Sequence, residues 1–160
     1  MRVRNVPPAA VALEKLGIPH HIFRHAEEVT SLEQAARERG QRPEQVVRSL
    51  VFRIAAHKFV MVLAPGGRQV SWKKLRECVG QSRLTTATPD EVLEETGYRI
   101  GTVAPFGLRH GMRIIVDKTI LLQEEISTGS GEAGVGIILS TRALLQALPD
   151  AQREDLVEPA

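Results

Sequence analysis

The chain has 160 residues, 42% of them hydrophobic, and its 21 basic and 19 acidic side chains give a formal net charge of +2. These values predict one globular domain over residues 1–160 and exclude the long basic tracts of dedicated nucleic-acid binders. With no apolar run of roughly 18 residues, no signal-peptide pattern and Cys78 as the single cysteine, we expect a cytoplasmic protein without disulfides or membrane spans.

Helical and strand patterns follow one another without the regular alternation of βαβ units. In chain order they predict a helix at 9–17, a strand at 18–24, a helix at 31–40, strands at 46–54 and 59–63, helices at 71–79 and 89–96, strands at 113–117, 125–128 and 135–139, and a helix at 141–148. This order predicts an α/β protein, α+β-like, with a mixed central sheet surrounded by helices. The polar residues after about 149 are expected to fray.

Two of the helices have start signals in the sequence. Thr30 with Glu33 predicts a capping box, in which hydroxyl and carboxylate satisfy the first free backbone groups of the helix. Thr88 with Glu91 predicts a second capping box, and Gly97 follows the end of that helix.

Residues 97–107 are the most informative stretch of the sequence. They contain three glycines and Pro105, which exclude a helix interior or a central strand, and also the two aromatic residues Tyr98 and Phe106. Stiff backbone with apolar anchors predicts either a rigid wall beside a ligand or a buried turn with packing glycines.

Residues 129–134 match the dinucleotide-binding pattern of three spaced glycines. That pattern binds a pyrophosphate only where a helix begins at the glycines, and here a strand pattern follows at 135–139. We therefore predict a turn between two antiparallel strands, with no dinucleotide cofactor.

The histidines and the cysteine show no metal-binding pattern. No histidine pairs at ligand spacing with a nearby carboxylate, and the adjacent His20 and His21 would face opposite sides of a strand. Cys78 lies near the end of a predicted helix, which is the wrong end to lower the pKa of a thiol. We predict no metal site and an inert cysteine.

Arg48 is a cation within the apolar strand at 46–54. Strand alternation places it on one face with Leu50 and Phe52, where a charge is costly unless it is paired or bound to a ligand. Two interpretations remain open: an edge-strand arginine that reaches water, or a fixed cation that lines a pocket.

Taken together in this order, the motifs resemble the YbaK/EbsC family, the free-standing relatives of the editing domain of bacterial prolyl-tRNA synthetases. The resemblance extends from about Thr30 to Leu148. It rests on 30–36, 46–51, Leu75 and Gly80 after a Pro-Gly turn, the glycine–proline pattern of 97–107, Asp117 and the glycines of 129–134.

The resemblance implies hydrolysis of mischarged aminoacyl-tRNA, most plausibly cysteine or alanine on tRNA(Pro), without metal or organic cofactor. It implies the tRNA acceptor end as partner, and prolyl-tRNA synthetase as a transient one. The family's strand lysine corresponds to Arg48, which keeps the charge but cannot act as a base. The implied site comprises Arg48 and Gly101 as catalytic residues, with substrate contacts from Thr30, Ser49, Pro105, Phe106, Gly129, Gly131 and Gly134.

Replacement of the family's lysine leaves two functions open. One is a trans-editing deacylase, in which Arg48 holds the acceptor end while backbone amides stabilise a developing oxyanion. The alternative is a non-catalytic binder of aminoacyl-adenosine-like ligands or tRNA.

Overall fold

Eight strands and five α-helices form the fold in residues 5–159, the part of the chain that the computed structural model describes. The helices are α1 Pro8–Leu16, α2 Leu32–Glu38, α3 Trp72–Val79, α4 Pro89–Thr96 and α5 Thr141–Ala147. The strands are β1 His21–Arg24, β2 Val47–Ala55, β3 Lys58–Pro65, β4 Thr85–Thr86, β5 Arg113–Asp117, β6 Glu125–Gly129, β7 Val135–Ser140 and β8 Gln152–Glu154. Short 3-10 helices occupy Pro43–Gln45 and Lys118–Leu122. Within residues 5–159, no helix is long and apolar enough to cross a membrane.

The strands form two sheets. The larger has the order β4-β2-β3-β5-β8, in which β2 pairs antiparallel with β3 and β4, while β5 pairs parallel with β3 and β8. The smaller is antiparallel, in the order β1-β7-β6, and a bridge between Val46 and Ser127 links it to the start of β2. The predicted mixed α/β class is confirmed, and the strands are divided between two sheets.

Strand β2 lies between two hydrophobic clusters. Val47 and Val51 pack into one cluster, which includes Leu13 and Ile126 from other elements. Phe52 belongs to the other cluster, and Leu50 packs against that one. Alternating side chains therefore face opposite sides of the sheet, as the sequence predicts.

The cap of α2 differs from the prediction by one residue. Ser31, not Thr30, is the N-cap, and its hydroxyl accepts a hydrogen bond from the Gln34 amide at 3.0 Å. Thr30 instead donates through its backbone N–H and its hydroxyl to the Gln34 side chain. The predicted capping box of Thr30 with Glu33 is therefore wrong. Thr30 and Ser31 are both good N-cap residues, so the sequence allows the helix to begin after either, and it begins after Ser31. The capping box of Thr88 with Glu91 is confirmed.

Residues 150–159 pack against the rest of the domain, so the expectation that the chain frays after about 149 is wrong for this described part. Strand β8 pairs parallel with β5, and the side chains of Leu156 and Val157 are buried. The Asp117 carboxylate accepts a hydrogen bond from the Leu156 amide at 2.8 Å. These contacts are non-local, and the polar sequence of Gln152–Glu154 contains no apolar alternation that would predict a strand.

Leu156→Ala tests the contribution of this segment to stability. We expect it to lower the free energy of unfolding by about 2–5 kcal/mol, because Leu156 is fully buried and truncation leaves a cavity. The matched control is Leu122→Ala, where the side chain is 80% exposed and the change should stay within about 0.5 kcal/mol. Urea unfolding followed by circular dichroism measures both, and equal effects would show that the segment does not contribute to the core.

Candidate functional site

A cleft opens along the free edge of β2. At one end of this edge, the Ala87 amide donates a hydrogen bond of 3.0 Å to the Val51 carbonyl, and at the other Val46 bridges to Ser127. Backbone groups of alternate residues point to the same side of a strand, so the N–H and C=O of Ser49 point into the gap between these two contacts. The cleft therefore offers unused strand-edge hydrogen-bonding groups to a ligand.

Two adjoining cavities make up the cleft. The apolar cavity has a volume of about 440 Å³ and the polar cavity about 380 Å³. The apolar cavity is lined mainly by Phe52, Val70, Trp72, Ala87, Val92 and Ile100. The polar cavity is lined by Thr30, Ser31, Arg39 and Gly129 among others. Both are lined by Arg48, Ser49, Leu50, Gly101 and Val103.

Arg48 lies at the junction of the two cavities and is half-buried. Its Nη2 donates to the carbonyl of Pro65 at 3.2 Å and to that of Arg68, which ties β2 to the turn after β3. Its Nε, like the hydroxyl of Ser49, is buried with no hydrogen-bond partner among residues 5–159. Burial lowers the pKa of Arg48, but a guanidinium stays charged at neutral pH. The side chain is thus a positioned cation with one buried donor unused.

The loop between α4 and β5 forms another wall of the cleft. Tyr98 is buried and donates from its hydroxyl to the Phe106 carbonyl, and burial raises its pKa to about 12. Gly101 has φ +90°, a conformation that glycine adopts without strain, and its N–H makes no hydrogen bond within the described residues. The loop is therefore held by its aromatic anchors and leaves the Gly101 amide free at the cleft.

The turn between β6 and β7 packs closely against that loop. The Gly131 amide donates to the Thr102 carbonyl at 2.8 Å, and a Cβ at position 131 would overlap the Tyr98 ring. A Cβ at position 129 would collide with the Val103 carbonyl oxygen. The predicted hairpin turn is confirmed, because β7 begins at Val135 and pairs antiparallel with β6.

The structure brings together five of the nine predicted site residues. Arg48, Ser49 and Gly101 line both cavities, while Thr30 and Gly129 line the polar cavity. The other four, all within the described residues, line neither cavity: Pro105, Phe106, Gly131 and Gly134. Pro105 and Phe106 are buried, and Gly131 and Gly134 shape the turn that carries Gly129.

Arg39 is a second cation of the site, and it is not among the site residues predicted from the sequence. Its Nε donates to Nε2 of His25 at 3.1 Å and its Nη1 to the Ser127 hydroxyl at 2.9 Å. Because Nε2 of His25 accepts from an arginine, its Nδ1 carries the proton that bonds Glu38 at 2.7 Å. Burial lowers the pKa of Arg39. These partners come from distant segments, so no sequence pattern could reveal them.

The wall of the polar cavity holds no general base. Its titratable side chains are Arg39 and Arg48, and no His, Lys, Cys, Asp or Glu of the described residues lines it. In residues 5–159, no three His, Cys, Asp or Glu side chains are placed to hold a metal ion. Two cations, three hydroxyls and a free amide can bind and stabilise negative charge, but they cannot take a proton from water at neutral pH.

Known proteins are similar to this chain in sequence and in fold. A family model of the aminoacyl-tRNA editing domain matches residues 26–147. The proline–tRNA ligase of Thermosipho melanesiensis is 32% identical over 105 residues, which make up 66% of this chain and 18% of the ligase. The chain thus matches less than a fifth of that ligase. YwhH, an uncharacterized protein of Bacillus subtilis, is 31% identical over 114 residues, 71% of this chain and 72% of YwhH.

Among solved structures, the fold matches a crystal structure described as that of "a putative trans-editing enzyme for prolyl tRNA synthetase". The TM-score is 0.88 at 28% sequence identity, and the match covers 98% of this chain and 100% of the other.

Proposed function

The chain belongs to the aminoacyl-tRNA editing domain family, and we propose that it is a trans-editing deacylase. It would hydrolyse the ester that joins a small, wrong amino acid to tRNA(Pro), most plausibly cysteine or alanine. The similarity to a proline–tRNA ligase and to a structure described as a trans-editing enzyme for prolyl-tRNA synthetase supports the choice of tRNA. The synthetase is then a transient partner, in the cytoplasm where tRNA is charged.

The observation that carries the proposal is the placement of Arg48 beside the free Gly101 amide and the unpaired edge of β2. In ester hydrolysis, water bonds to the carbonyl carbon and the carbonyl oxygen becomes an oxyanion. Donors fixed around that oxygen lower the barrier because they need no reorganisation during the reaction. Arg48 supplies a positioned cation that lines both cavities, and Gly101 supplies an N–H that has no partner in residues 5–159.

Proton transfer is assigned to the substrate, because the polar cavity has no base. A ribose hydroxyl next to the ester relays the proton: it accepts a proton from the attacking water while it gives its own proton to the ester oxygen of the ribose. The bond between the carbonyl carbon and the ribose oxygen then breaks, and that oxygen is protonated as it leaves. The products are a free amino acid and an uncharged tRNA, and the protein contributes position and electrostatic stabilisation.

One observation favours the alternative of a non-catalytic binder. The Nη2 of Arg48 is bonded to the carbonyls of Pro65 and Arg68, so part of this guanidinium has a structural role. In that case the cleft would hold an aminoacyl-adenosine-like end of tRNA without turnover.

A panel of mischarged tRNAs distinguishes the two functions. The protein is incubated with tRNA(Pro) carrying radiolabelled cysteine, alanine, serine or threonine, with proline as the cognate control, and released amino acid is counted. We expect release of cysteine or alanine well above the no-protein rate, with proline left in place. No release of any of the four at near-stoichiometric protein would overturn the deacylase proposal.

Binding of tRNA should be weak and only moderately dependent on salt. A net charge of +2 allows few phosphate contacts, so log Kd plotted against log salt should have a slope of about 1–3 in magnitude. Fluorescence anisotropy with labelled tRNA(Pro) between 50 and 300 mM salt, in steps of about 50 mM, measures it. A nanomolar complex insensitive to salt would contradict this expectation.

A further inference from the structure

We propose that the apolar cavity is the subsite for the 3′-terminal adenine base of the tRNA. In this subsite Trp72 stacks on the base, and the Gln69 side chain hydrogen-bonds to the edge of the base. The inference rests on the proposed function, because it takes the ligand to be the acceptor end. It adds the base that enters the cavity and the residues that recognise it.

Trp72 presents an unused aromatic surface to this cavity. It is the first residue of α3, and its ring packs edge-on against Phe52 with centroids 5.3 Å apart and an angle of 89°. The indole is thus fixed on one side, yet it remains 40% exposed. A partly exposed indole that lines a cavity is suited to stacking on a flat base, and base stacking is the usual way in which proteins hold unpaired nucleotides.

A second exposed apolar side chain lines the same cavity. Ile100, on the loop that carries Gly101, is 55% exposed. In residues 5–159 only six large hydrophobic side chains are exposed, and two of them, Trp72 and Ile100, belong to this one cavity. They come from different segments of the chain, so their concentration here is not explained by packing within one element. A planar apolar ligand would cover both.

Polar groups at the cavity match adenine. Gln69 lines the cavity, and its side-chain amide makes no hydrogen bond within the described residues. An amide both donates and accepts, as the edge of adenine does with its amino group and ring nitrogen. Glu158, whose backbone N–H donates to the Gln69 carbonyl at 2.8 Å, also lines the cavity, and we assign its carboxylate to the amino group of the base. A carboxylate only accepts, so it favours the amino group of adenine and disfavours a carbonyl at the same position.

The position of the cavity is also right for a terminal nucleoside. It shares Arg48, Ser49 and Gly101 with the polar cavity. A base stacked on Trp72 would place its ribose at this junction, beside the donors assigned to the oxyanion, and its ester-linked amino acid in the polar cavity. A volume of about 440 Å³ lies in the range of small-molecule sites.

Intrinsic fluorescence tests the proposal without any need for turnover, since Trp72 is the only tryptophan in the chain. The intact protein is titrated with adenosine 5′-monophosphate and, as the matched probe, with inosine 5′-monophosphate, which has a carbonyl in place of the amino group. We expect saturable quenching by the adenosine nucleotide and at least about tenfold weaker binding of the inosine nucleotide. No saturable response to adenosine 5′-monophosphate would overturn the proposal.

Variants separate the stacking by Trp72 from the hydrogen bonding by Gln69, and calorimetry measures nucleotide binding to each variant. Trp72→Ala should weaken the binding of adenosine 5′-monophosphate about 5- to 100-fold, whereas Trp72→Phe keeps an aromatic ring and should keep most of the affinity. Gln69→Leu should reduce the preference for adenosine over inosine nucleotide. Leu122→Ala, an exposed position that does not line either cavity, should change nothing. Undiminished binding by folded Trp72→Ala would contradict the stacking role.

Failure of this inference can be told apart from failure of the proposed function. Release of amino acid from mischarged tRNA without any Trp72 response to the nucleotide would overturn the subsite and leave the deacylase in place. A specific Trp72 response without deacylation would support the subsite and leave the chain as a binder. In an active protein, Trp72→Ala should raise KM more than it lowers kcat, because the base is bound equally in the ground and transition states.

Discussion

Arg48→Ala should deacylate mischarged tRNA about 30- to 1000-fold more slowly than the parent chain. The loss corresponds to about 2–4 kcal/mol, the usual effect of removing one donor that stabilises an oxyanion in a site shielded from water. We propose this role for Arg48 because it is a half-buried cation that lines both cavities. Single-turnover release of labelled amino acid measures the rate of the chemical step directly.

Arg48→Lys is the matched control for charge. Lysine keeps the cation, so activity should be retained or raised if a positioned charge is what the reaction requires. Thermal unfolding of both variants is needed alongside, because Arg48→Ala also removes the hydrogen bonds to the Pro65 and Arg68 carbonyls. Parental activity in a folded Arg48→Ala variant would show that Arg48 is only a structural link, and activity confined to Arg48→Lys would identify the natural chain as a binder.

Gly129→Ala should reduce activity about 10- to 100-fold and lower stability by about 1–3 kcal/mol. A Cβ at this position would collide with the Val103 carbonyl and lie 2.9 Å from that of Thr102. Backbone has to move, and the segment that moves carries Gly101 and Val103, which line both cavities. Deacylation rate and urea unfolding, measured on the same preparation, report the two effects.

Gly111→Ala is the control for removing a glycine. Its φ lies outside the left-handed region, and no atom lies within 4 Å of the added Cβ. Activity and stability should therefore match the parent chain. If Gly129→Ala behaves like this control, the close approach of the hairpin turn to the loop has no role in shaping the cleft.

Local signals in the sequence predicted much of the framework. The capping box of Thr88 with Glu91 and the turn at 129–134 depend on neighbours a few residues away, and both are present in the structure. The alternation around Arg48 also placed Val47 and Phe52 on the correct faces of β2. Such features are encoded by residue type and spacing, which are visible without the fold.

Features that depend on distant contacts could not be predicted in this way. Strand β8 forms because it pairs with β5 and because the Leu156 N–H that follows it donates to the Asp117 carboxylate. Its own sequence does not favour a strand. Arg39 reaches the cleft through partners 14 and 88 residues away, His25 and Ser127. The family resemblance directed attention to the glycines, but only the structure separates Gly129, which lines the polar cavity, from Gly131 and Gly134, which shape the turn.

The most direct test of the central claim is a single-turnover comparison of Cys-tRNA(Pro), Ala-tRNA(Pro) and Pro-tRNA(Pro) with the parent chain in excess over tRNA. We expect cysteine or alanine to be released many times faster than in buffer alone, proline to be retained, and Arg48→Ala to lose most of this difference. Decay of each of the three esters at its own rate in buffer alone would contradict the deacylase proposal.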